Sequence, residues 1–276
     1  MTNILKVAIK NKSILIGTIM VVVIVFLAVF APLVSPYDPE KMDMGLRLQK
    51  PNHEYLMGTD QFGRDLLSRL IYGARVSLKV GFTSVIISMV LGVALGLVSG
   101  YYGGWIDNII MRIVDIFLSF PVLLLAIAFV ASLGPGIVSV IIALGLVYWT
   151  NYARVVRSSV LAIKEEEYVQ AARTIGASDL RIICLYILPN ALAPIIVVAT
   201  LGLGTAIVSE ATLSFLGLGV QPPEASWGYT LSFGLKFLRD APYLSLFPGL
   251  AIMFTVLGFN LLGNGIRDIT DPRLIK

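Results

Sequence analysis

Six long apolar runs with few charged residues constrain the fold of this chain more than any other feature. An α-helix needs about 20 apolar residues to cross the hydrocarbon core of a bilayer. The runs that approach or exceed that length are Ser13–Val34, Val76–Ser99, Asn108–Ala131, Gly136–Tyr152, Ala191–Val220 and Leu244–Gly265. Charged residues make up only 14% of the chain, whereas a soluble domain has about 25%. The sequence therefore predicts an all-α membrane protein with six transmembrane helices.

The first apolar stretch must be distinguished from a cleaved signal peptide. Lys6, Lys10 and Lys12 precede it, and the stretch Ile14–Val34 has 21 residues. That exceeds the roughly 7–15 residues of a signal-peptide core, and its end lacks a small-x-small cleavage pattern. Basic residues beside a span tend to stay in the cytoplasm. We therefore expect a retained first span, and six spans then place both termini in the cytoplasm.

The spans and their connections divide the chain into three regions. Residues 1–75 are expected to hold the first span, at 13–34, and an outer loop with an amphipathic helix. Residues 76–266 form a core of five spans, and residues 267–276 form a cytoplasmic tail.

The end of the outer loop has the pattern of an amphipathic helix. Between Phe62 and Arg75 the sequence sets apolar and polar residues on opposite helical faces. The apolar face holds Phe62, Leu66, Leu67, Leu70 and Ile71, and the polar face holds Arg64, Asp65, Ser68 and Arg69. We expect this helix either to lie on the membrane surface or to pack on the outer surface of the protein itself.

Two patterns within the spans predict how the helices pack. Small residues recur every fourth position in the second span, at Ser84, Ser88, Gly92, Gly96 and Gly100. Such a ridge lets another helix approach closely. In the third span, Pro121 removes a backbone donor, so a kink is expected there.

Two acidic residues lie within predicted spans, where a carboxylate is costly and is often functional. Asp115 lies one turn after Arg112, and it either forms a local ion pair with that residue or lines a translocation pathway. Glu210 has no basic neighbour in sequence. It either lines a translocation pathway, or bonds a neighbouring helix at a functional interface, or makes a structural hydrogen bond.

A charged segment at residues 161–189, called the hairpin below, interrupts the apolar sequence. Good helix formers fill Leu161–Ile175, and Gly176 stands where a C′ glycine would end a helix. Ser178 is placed to cap a second helix, with Asp179 in its first turn. The predicted apolar face of that second helix holds Leu180, Ile183, Cys184 and Ile187, and Pro189 marks the passage into the fifth span.

The small side chains of Ala171 and Ala172 leave one face of the first hairpin helix without bulky groups. A helical face with small side chains suits insertion into a groove on another protein. With the termini inside, the hairpin faces the cytoplasm, and we expect it to dock there.

Several classes of function are disfavoured by what the sequence lacks. No G-x-x-x-x-G-K-[ST] pattern occurs, so this chain is not expected to hydrolyse ATP. Cys184 is the single cysteine and His53 the single histidine, which argues against a disulfide, a metal site or a catalytic constellation. The net charge of +4 is small, and the basic residues flank apolar spans. We therefore expect no nucleic-acid partner.

The hairpin resembles the EAA loop of ATP-binding-cassette importer permeases. The family pattern is E-A-A, three residues, Gly, nine residues, Ile-x-Leu-Pro. Gln170-Ala171-Ala172, Gly176 and Leu188-Pro189 fall in register with it, while Gln170 replaces the acid and Tyr186 replaces Ile. The resemblance implies a coupling helix seated in a cleft of a cytoplasmic ATPase. The coupling residues it implies are Gln170, Ala171, Ala172, Gly176, Ala177, Asp179, Leu188 and Pro189.

Most of the chain resembles one branch of those permeases. The matching stretches are MGTDQFGRDLLSRLIYGARVSL, GYYGGWIDNIIMRIVDIFLSFP, EATLSFLGLGVQPPEASWG and FNLLGNGIRDITDPR. They are similar to the C-type subunit of the dipeptide, oligopeptide and nickel permease family. This implies a type I importer permease (MetI-like) fold and a peptide importer in the cell membrane of a prokaryote. It also implies a B-type permease partner, an extracytoplasmic solute-binding protein, and two ATPase subunits that bind ATP and magnesium, with no cofactor on this chain.

Other functions stay open from sequence alone. Import of nickel or another metal as a chelate is the alternative within the same family. An ion-coupled secondary carrier or a channel would predict inverted repeats and more intramembrane polar groups than are seen. A purely structural membrane anchor would leave the hairpin unexplained.

Overall fold

The computed structural model describes residues 11–270, and its regular elements are helices. Lys6, Lys10 and residues 271–276 of the predicted tail lie outside this range. The main helices are α1 (Lys12–Val29), α2 (Leu66–Tyr102), α3 (Gly104–Ser119), α4 (Val122–Leu133), α5 (Ile137–Ile163), α6 (Glu167–Thr174), α7 (Asp179–Phe215), α8 (Trp227–Gly234) and α9 (Tyr243–Thr270). A one-turn helix, Ala31–Val34, follows α1.

The predicted number of spans is confirmed when one bent pair is counted as a span. Five helices are long and apolar enough to cross a membrane, and the pair α3 and α4 brings the number to six. However, the continuous span Asn108–Ala131 is wrong, because α3 and α4 meet at 91°. Phe120 is extended and Pro121 begins the next helix. A proline disfavours helical backbone in the residue before it, so the expected kink is a full break.

The separate amphipathic helix of the outer loop is also a wrong prediction. Its residues from Leu66 onward form the first turns of α2. Leu66, Leu70 and Ile71 are buried as expected. The predicted polar face is buried too, since Arg64 and Arg69 are both 2% exposed. The segment therefore packs within the outer part of the protein and does not lie on the membrane surface.

Pairing within a cluster of buried charges explains why charged residues are tolerated in that interior. Asp60 Oδ2 lies 2.7 Å from Arg64 Nε and 3.6 Å from Arg69 Nε. Arg69 Nη1 also donates to the carbonyl of Pro39 at 3.0 Å. Each buried charge is thus paired or hydrogen-bonded, as charges in protein interiors require.

The ridge of small residues on α2 packs against α5 of the same chain. Ser84 and Ser88 donate to the carbonyls of Ile141 and Gly145, each 57 residues later in the chain. A Cβ on Gly96 would lie 2.7 Å from the carbonyl oxygen of Ala153. The three contacts keep one register over more than three turns, so α2 and α5 run parallel with their backbones close together. This confirms the tight packing that the ridge predicted.

The outer end of the bundle is fastened by long-range hydrogen bonds. Trp227 Nε1 donates to the carbonyl of Leu70 at 2.8 Å. Tyr243 Oη donates to the carbonyl of Gln49 at 2.8 Å. The outer loop, α8 and the start of α9 therefore form one cap over the ends of the spans.

Candidate functional site

The first arm of the hairpin is shorter than the sequence predicts. α5 runs through to Ile163 and α6 begins at Glu167, so a first helix spanning Leu161–Ile175 is wrong. The two helices are joined by residues 164–166. Gln170 Nε2 donates to the carbonyl of Lys164 at 2.9 Å. This bond ties the start of α6 to the end of α5.

Gly176 ends the first arm as predicted. Its φ of 82° is left-handed, a backbone conformation that glycine adopts without steric cost. The amide of Ala177 donates to the carbonyl of Ala172 at 3.1 Å, and the amide of Gly176 donates to that of Arg173 at 3.0 Å. This pair of bonds is a Schellman motif, and it fixes the direction in which the chain leaves α6.

The second arm is continuous with the fifth span. Ser178 is the N-cap in extended backbone, as predicted, although its side chain makes no capping bond within residues 11–270. The helix then runs from Asp179 to Phe215 through a π-helical turn, Ile183–Ile187. Pro189 lacks an N–H for the carbonyl four residues earlier, and the widened turn accommodates that loss. The helix of the predicted fifth span, Ala191–Val220, therefore begins earlier, at Asp179, and ends earlier, at Phe215.

The inner face of the hairpin packs against the ends of α2 and α5. Its buried residues are Val169, Ala172, Ile182 and Ile187. The predicted apolar face was wrong at Leu180 and Cys184, which are exposed. A π turn bonds residues five apart, so it brings Ile187 close to the face of Ile182.

Polar contacts also hold the hairpin to α2. Tyr101 Oη donates to Asp179 Oδ1 at 2.7 Å. The guanidinium of Arg173 lies 5.6 Å from the centre of the Tyr101 ring, within cation–π range. Lys164 Nζ donates to the carbonyl of Gly100 at 3.2 Å. Asp179, expected to contact a partner, therefore positions the hairpin on its own chain.

The opposite face of the hairpin is apolar and exposed. Tyr168, Ala171 and Ile175 follow one another at helical spacing and share one face of α6. Ile175 is 83% exposed, and Leu180 on the second arm is 72% exposed. Sequence reasoning missed Tyr168 and Ile175. Ile175 directly precedes the turn glycine, and this position beside the turn was the feature that could have indicated an exposed apolar residue. We call Tyr168, Ala171, Ile175 and Leu180 the exposed hairpin face.

The eight predicted coupling residues divide by position. The structure brings Gln170 to Asp179 together around the turn, with Leu188 and Pro189 beyond the π turn. Ala171, Gly176 and Pro189 are exposed, while Ala172 is buried. The alanine pair is therefore split, with one member facing outward and the other packed against the protein.

Asp115 and Glu210 lie in different surroundings. Asp115 Oδ1 pairs with Arg154 Nη2 at 2.6 Å, and both side chains are more than half exposed. The expected partner Arg112 was wrong, since α5 supplies the cation. A pathway role for Asp115 stays a prediction.

Glu210 is fully buried among hydroxyl groups. It accepts hydrogen bonds from Ser77 at 2.8 Å, Ser214 at 2.7 Å and Ser226 at 3.2 Å. The carboxyl group thus joins α2, α7 and the segment before α8. This position supports the hydrogen-bonding role rather than a role in lining an open pathway.

A second ion pair was missed by sequence reasoning. Arg157 on α5 donates two hydrogen bonds to Asp107 on α3, with 2.6 Å between Nη2 and Oδ2. Together with Asp115 and Arg154 it fastens α3 along α5. Within residues 11–270, the structure has no cluster of three or more His, Cys, Asp or Glu side chains suited to a metal ion.

Two protein-family models match separate parts of the chain. Residues 92–276 match the binding-protein-dependent transport system inner membrane component. Residues 3–51 match the N-terminal TM domain of oligopeptide transport permease C.

Similar proteins carry permease names. The dipeptide transport system permease protein DppC of Alkalihalophilus pseudofirmus is 49% identical, over 96% of this chain and 87% of its own length. The glutathione transport system permease protein GsiD of Escherichia coli O6:K15:H31 is 45% identical, over 94% of this chain and 86% of its own.

The fold has solved counterparts. A chain of the inward-facing MetNI methionine ABC transporter aligns with a TM-score of 0.61 at 22% identity, covering 75% of this chain and 98% of that one. The fold is thus that of a type I importer permease. The family match and the permease relatives show a multi-pass membrane subunit of an ABC transporter, a class that works with ATPase subunits. The chain is a transport subunit and not an enzyme. It belongs to the family of binding-protein-dependent transport system inner membrane components.

Proposed function

We propose that this chain is the membrane-spanning subunit of an ATP-driven importer of dipeptides or oligopeptides. The identity of 49% to a dipeptide permease supports the peptide substrate. We place the chain in the cytoplasmic membrane of a prokaryote with both termini in the cytoplasm. Its partners are a B-type permease, an extracytoplasmic solute-binding protein and two ATPase subunits, which carry the ATP and magnesium.

The exposed hairpin face is the observation that supports a role in coupling this chain to the ATPase subunits. Ile175 and Leu180 offer large apolar side chains to a partner, and burying each on docking contributes about 1.5–3 kcal/mol. The inner face of the same hairpin is fixed to Tyr101 and to the ends of α2 and α5. A displacement of the docked hairpin would therefore move α2, α5 and α7 together.

Docking is tested by placing a charge on the exposed face. We expect Ile175→Asp to abolish ATPase association and dipeptide uptake by the reconstituted complex, because the aspartate must be desolvated in the partner cleft. The control Leu56→Asp changes an exposed apolar residue of the outer loop and should retain ATPase association. Normal association of Ile175→Asp would refute the proposed docking face.

The shape of the turn is tested separately. A Cβ at Gly176 meets no described atom within 4 Å, so Gly176→Val acts only through backbone strain. We expect it to reduce ATPase association and uptake together, while the purified chain remains folded. If ATPase association and uptake both remain normal, the hairpin does not transmit movement as a rigid unit.

The substrate is tested by competition. Uptake of labelled dipeptide by the reconstituted complex should be blocked by unlabelled dipeptide and not by nickel. Uptake of labelled nickel in place of peptide would favour the metal-chelate alternative. Uptake that persists without the ATPase subunits would favour an ion-coupled carrier.

A further inference from the structure

A small cavity lined by both polar and apolar side chains lies halfway along two spans. Its volume is about 60 Å³, and it is lined by Val85, Tyr148, Asn151, Tyr152, Val198, Gly202 and Thr205. Tyr148–Tyr152 occupies the middle of α5, and Gly202 occupies the middle of the regular part of α7, Leu188–Phe215. Because both helices cross the membrane, the cavity lies near the centre of the bilayer.

Tyr152 is the unusual member of this cavity. Its side chain is only 3% exposed, and its hydroxyl has no hydrogen-bond partner among residues 11–270. An unsatisfied buried hydroxyl costs about 1–3 kcal/mol, and such a group in a folded protein requires an explanation. A ligand that hydrogen-bonds this hydroxyl would supply one.

Gly202 makes room for the Tyr152 hydroxyl. A Cβ at position 202 would lie 2.7 Å from Tyr152 Oη, so a larger residue would displace the hydroxyl. The next glycine on the same helix, Gly204, is less crowded, since its Cβ would meet Asn260 Oδ1 at 3.4 Å. A methyl group at position 202 would therefore disturb the cavity, whereas a methyl group at position 204 would not.

The remaining polar groups of the cavity are neutral. Tyr148 Oη and Ser209 Oγ, which lies on α7 beyond the cavity, are hydrogen-bonded at 2.7 Å. Asn151 and Thr205 are exposed beside them. Polar side chains are costly at mid-membrane depth and mark pathways or contacts between helices. Hydroxyl and amide groups together can both donate to and accept from a peptide bond.

We propose that this cavity binds a backbone amide of the peptide as it crosses the membrane, with Tyr152 Oη donating to the peptide carbonyl. This inference rests on the proposed function as a peptide importer. None of the lining residues is charged, so the contact is weak and independent of peptide side chains. Weak neutral contacts let a substrate enter a pathway and leave it again.

The hydroxyl is tested by Tyr152→Phe in the reconstituted transporter. We expect the KM for dipeptide uptake to rise roughly 3- to 10-fold, the effect of losing one neutral hydrogen bond. Thermal stability without peptide should stay equal or rise, because the hydroxyl is unsatisfied in the free protein. The control Tyr102→Phe alters a half-exposed tyrosine at the end of α2 and should leave the KM unchanged.

A second pair of variants tests the cavity without touching the tyrosine. Gly202→Ala should raise the KM, whereas Gly204→Ala should not. Unchanged KM values for both Tyr152→Phe and Gly202→Ala would overturn the cavity proposal while peptide uptake by the wild-type complex upholds the proposed function. If the wild-type complex takes up no peptide, both proposals fail.

Discussion

At the scale of single residues, Gly92 shows how tightly the bundle is packed. A Cβ there would clash with the carbonyl oxygen of Trp149 on α5. We expect Gly92→Ala to lower the free energy of unfolding by about 1–3 kcal/mol, because α2 and α5 must separate to admit the methyl group. Thermal unfolding of the purified protein in detergent measures this change.

A glycine with ordinary space is the matched control for Gly92. A Cβ at Gly249 would meet Leu231 Cδ1 at 3.6 Å, so Gly249→Ala is expected to be neutral. Equal stability of the Gly92 and Gly249 variants would contradict the close approach of α2 and α5.

The Glu210 network yields a second prediction at this scale. Glu210→Gln keeps an acceptor for the serines, so we expect a loss of stability of about 1 kcal/mol. Glu210→Leu leaves Ser77, Ser214 and Ser226 without their acceptor and should cost several times more. The measurement is the unfolding midpoint of each variant. Unchanged stability with lost uptake in both variants would instead assign Glu210 to the pathway.

Individual residues were predictable where a local rule decides their role. Gly176 follows from helix-ending geometry, and the ridge around Gly92 follows from four-residue spacing. The ion-pair partner of Asp115 and the space around the Tyr152 hydroxyl were not predictable. Arg154 lies 39 residues from Asp115 in sequence, and the space for the Tyr152 hydroxyl depends on a glycine from another span. Only the folded arrangement shows such pairs.

At the scale of elements, α3 is attached to α5 by two unequal ion pairs. The pair Asp107–Arg157 is partly buried and doubly hydrogen-bonded, whereas Asp115–Arg154 is exposed. We expect Arg157→Gln to cost about 1–3 kcal/mol of stability, and Arg154→Gln less than about 1 kcal/mol. Thermal unfolding of the two variants at low and high salt compares them. Equal losses would show that α3 is not held chiefly by Arg157.

Element boundaries were less predictable than the existence of the elements. The outer turns of α2 look like a surface helix because Arg64 and Arg69 make one face polar. Their burial depends on Asp60, which pairs with both. Likewise, the split of the third span at Pro121 was expected only as a kink, because its angle depends on the packing of α3 and α4. Apolar length indicates a span, but charge pairing decides where its helix begins.

At the scale of the whole molecule, Cys184 reports the orientation in the membrane. It is the only cysteine of the chain and is exposed on the second arm of the hairpin. We expect a membrane-impermeant maleimide to label it in inverted vesicles and not in intact cells. Labelling only in intact cells would reverse the proposed topology.

A cysteine on the opposite side provides the control for this labelling. His53 lies in the outer loop and is exposed, so Cys184→Ser with His53→Cys should be labelled in intact cells. The number of spans and the hairpin were predictable from the whole sequence. The cap that joins the outer loop to α8 and α9 was not, because its hydrogen bonds connect residues far apart in sequence.

The constant register between α2 and α5 limits how this molecule can change shape. Carbonyl groups of α5 lie against successive small residues of α2 at one offset. Axial sliding by less than one helical turn, about 5.4 Å, would set side chains of one helix against the backbone of the other. Steric clashes therefore exclude intermediate axial positions of α2 relative to α5. The two helices are expected to tilt or rotate as one unit. A displacement of the hairpin would then become an angular movement at the outer ends of α2 and α5.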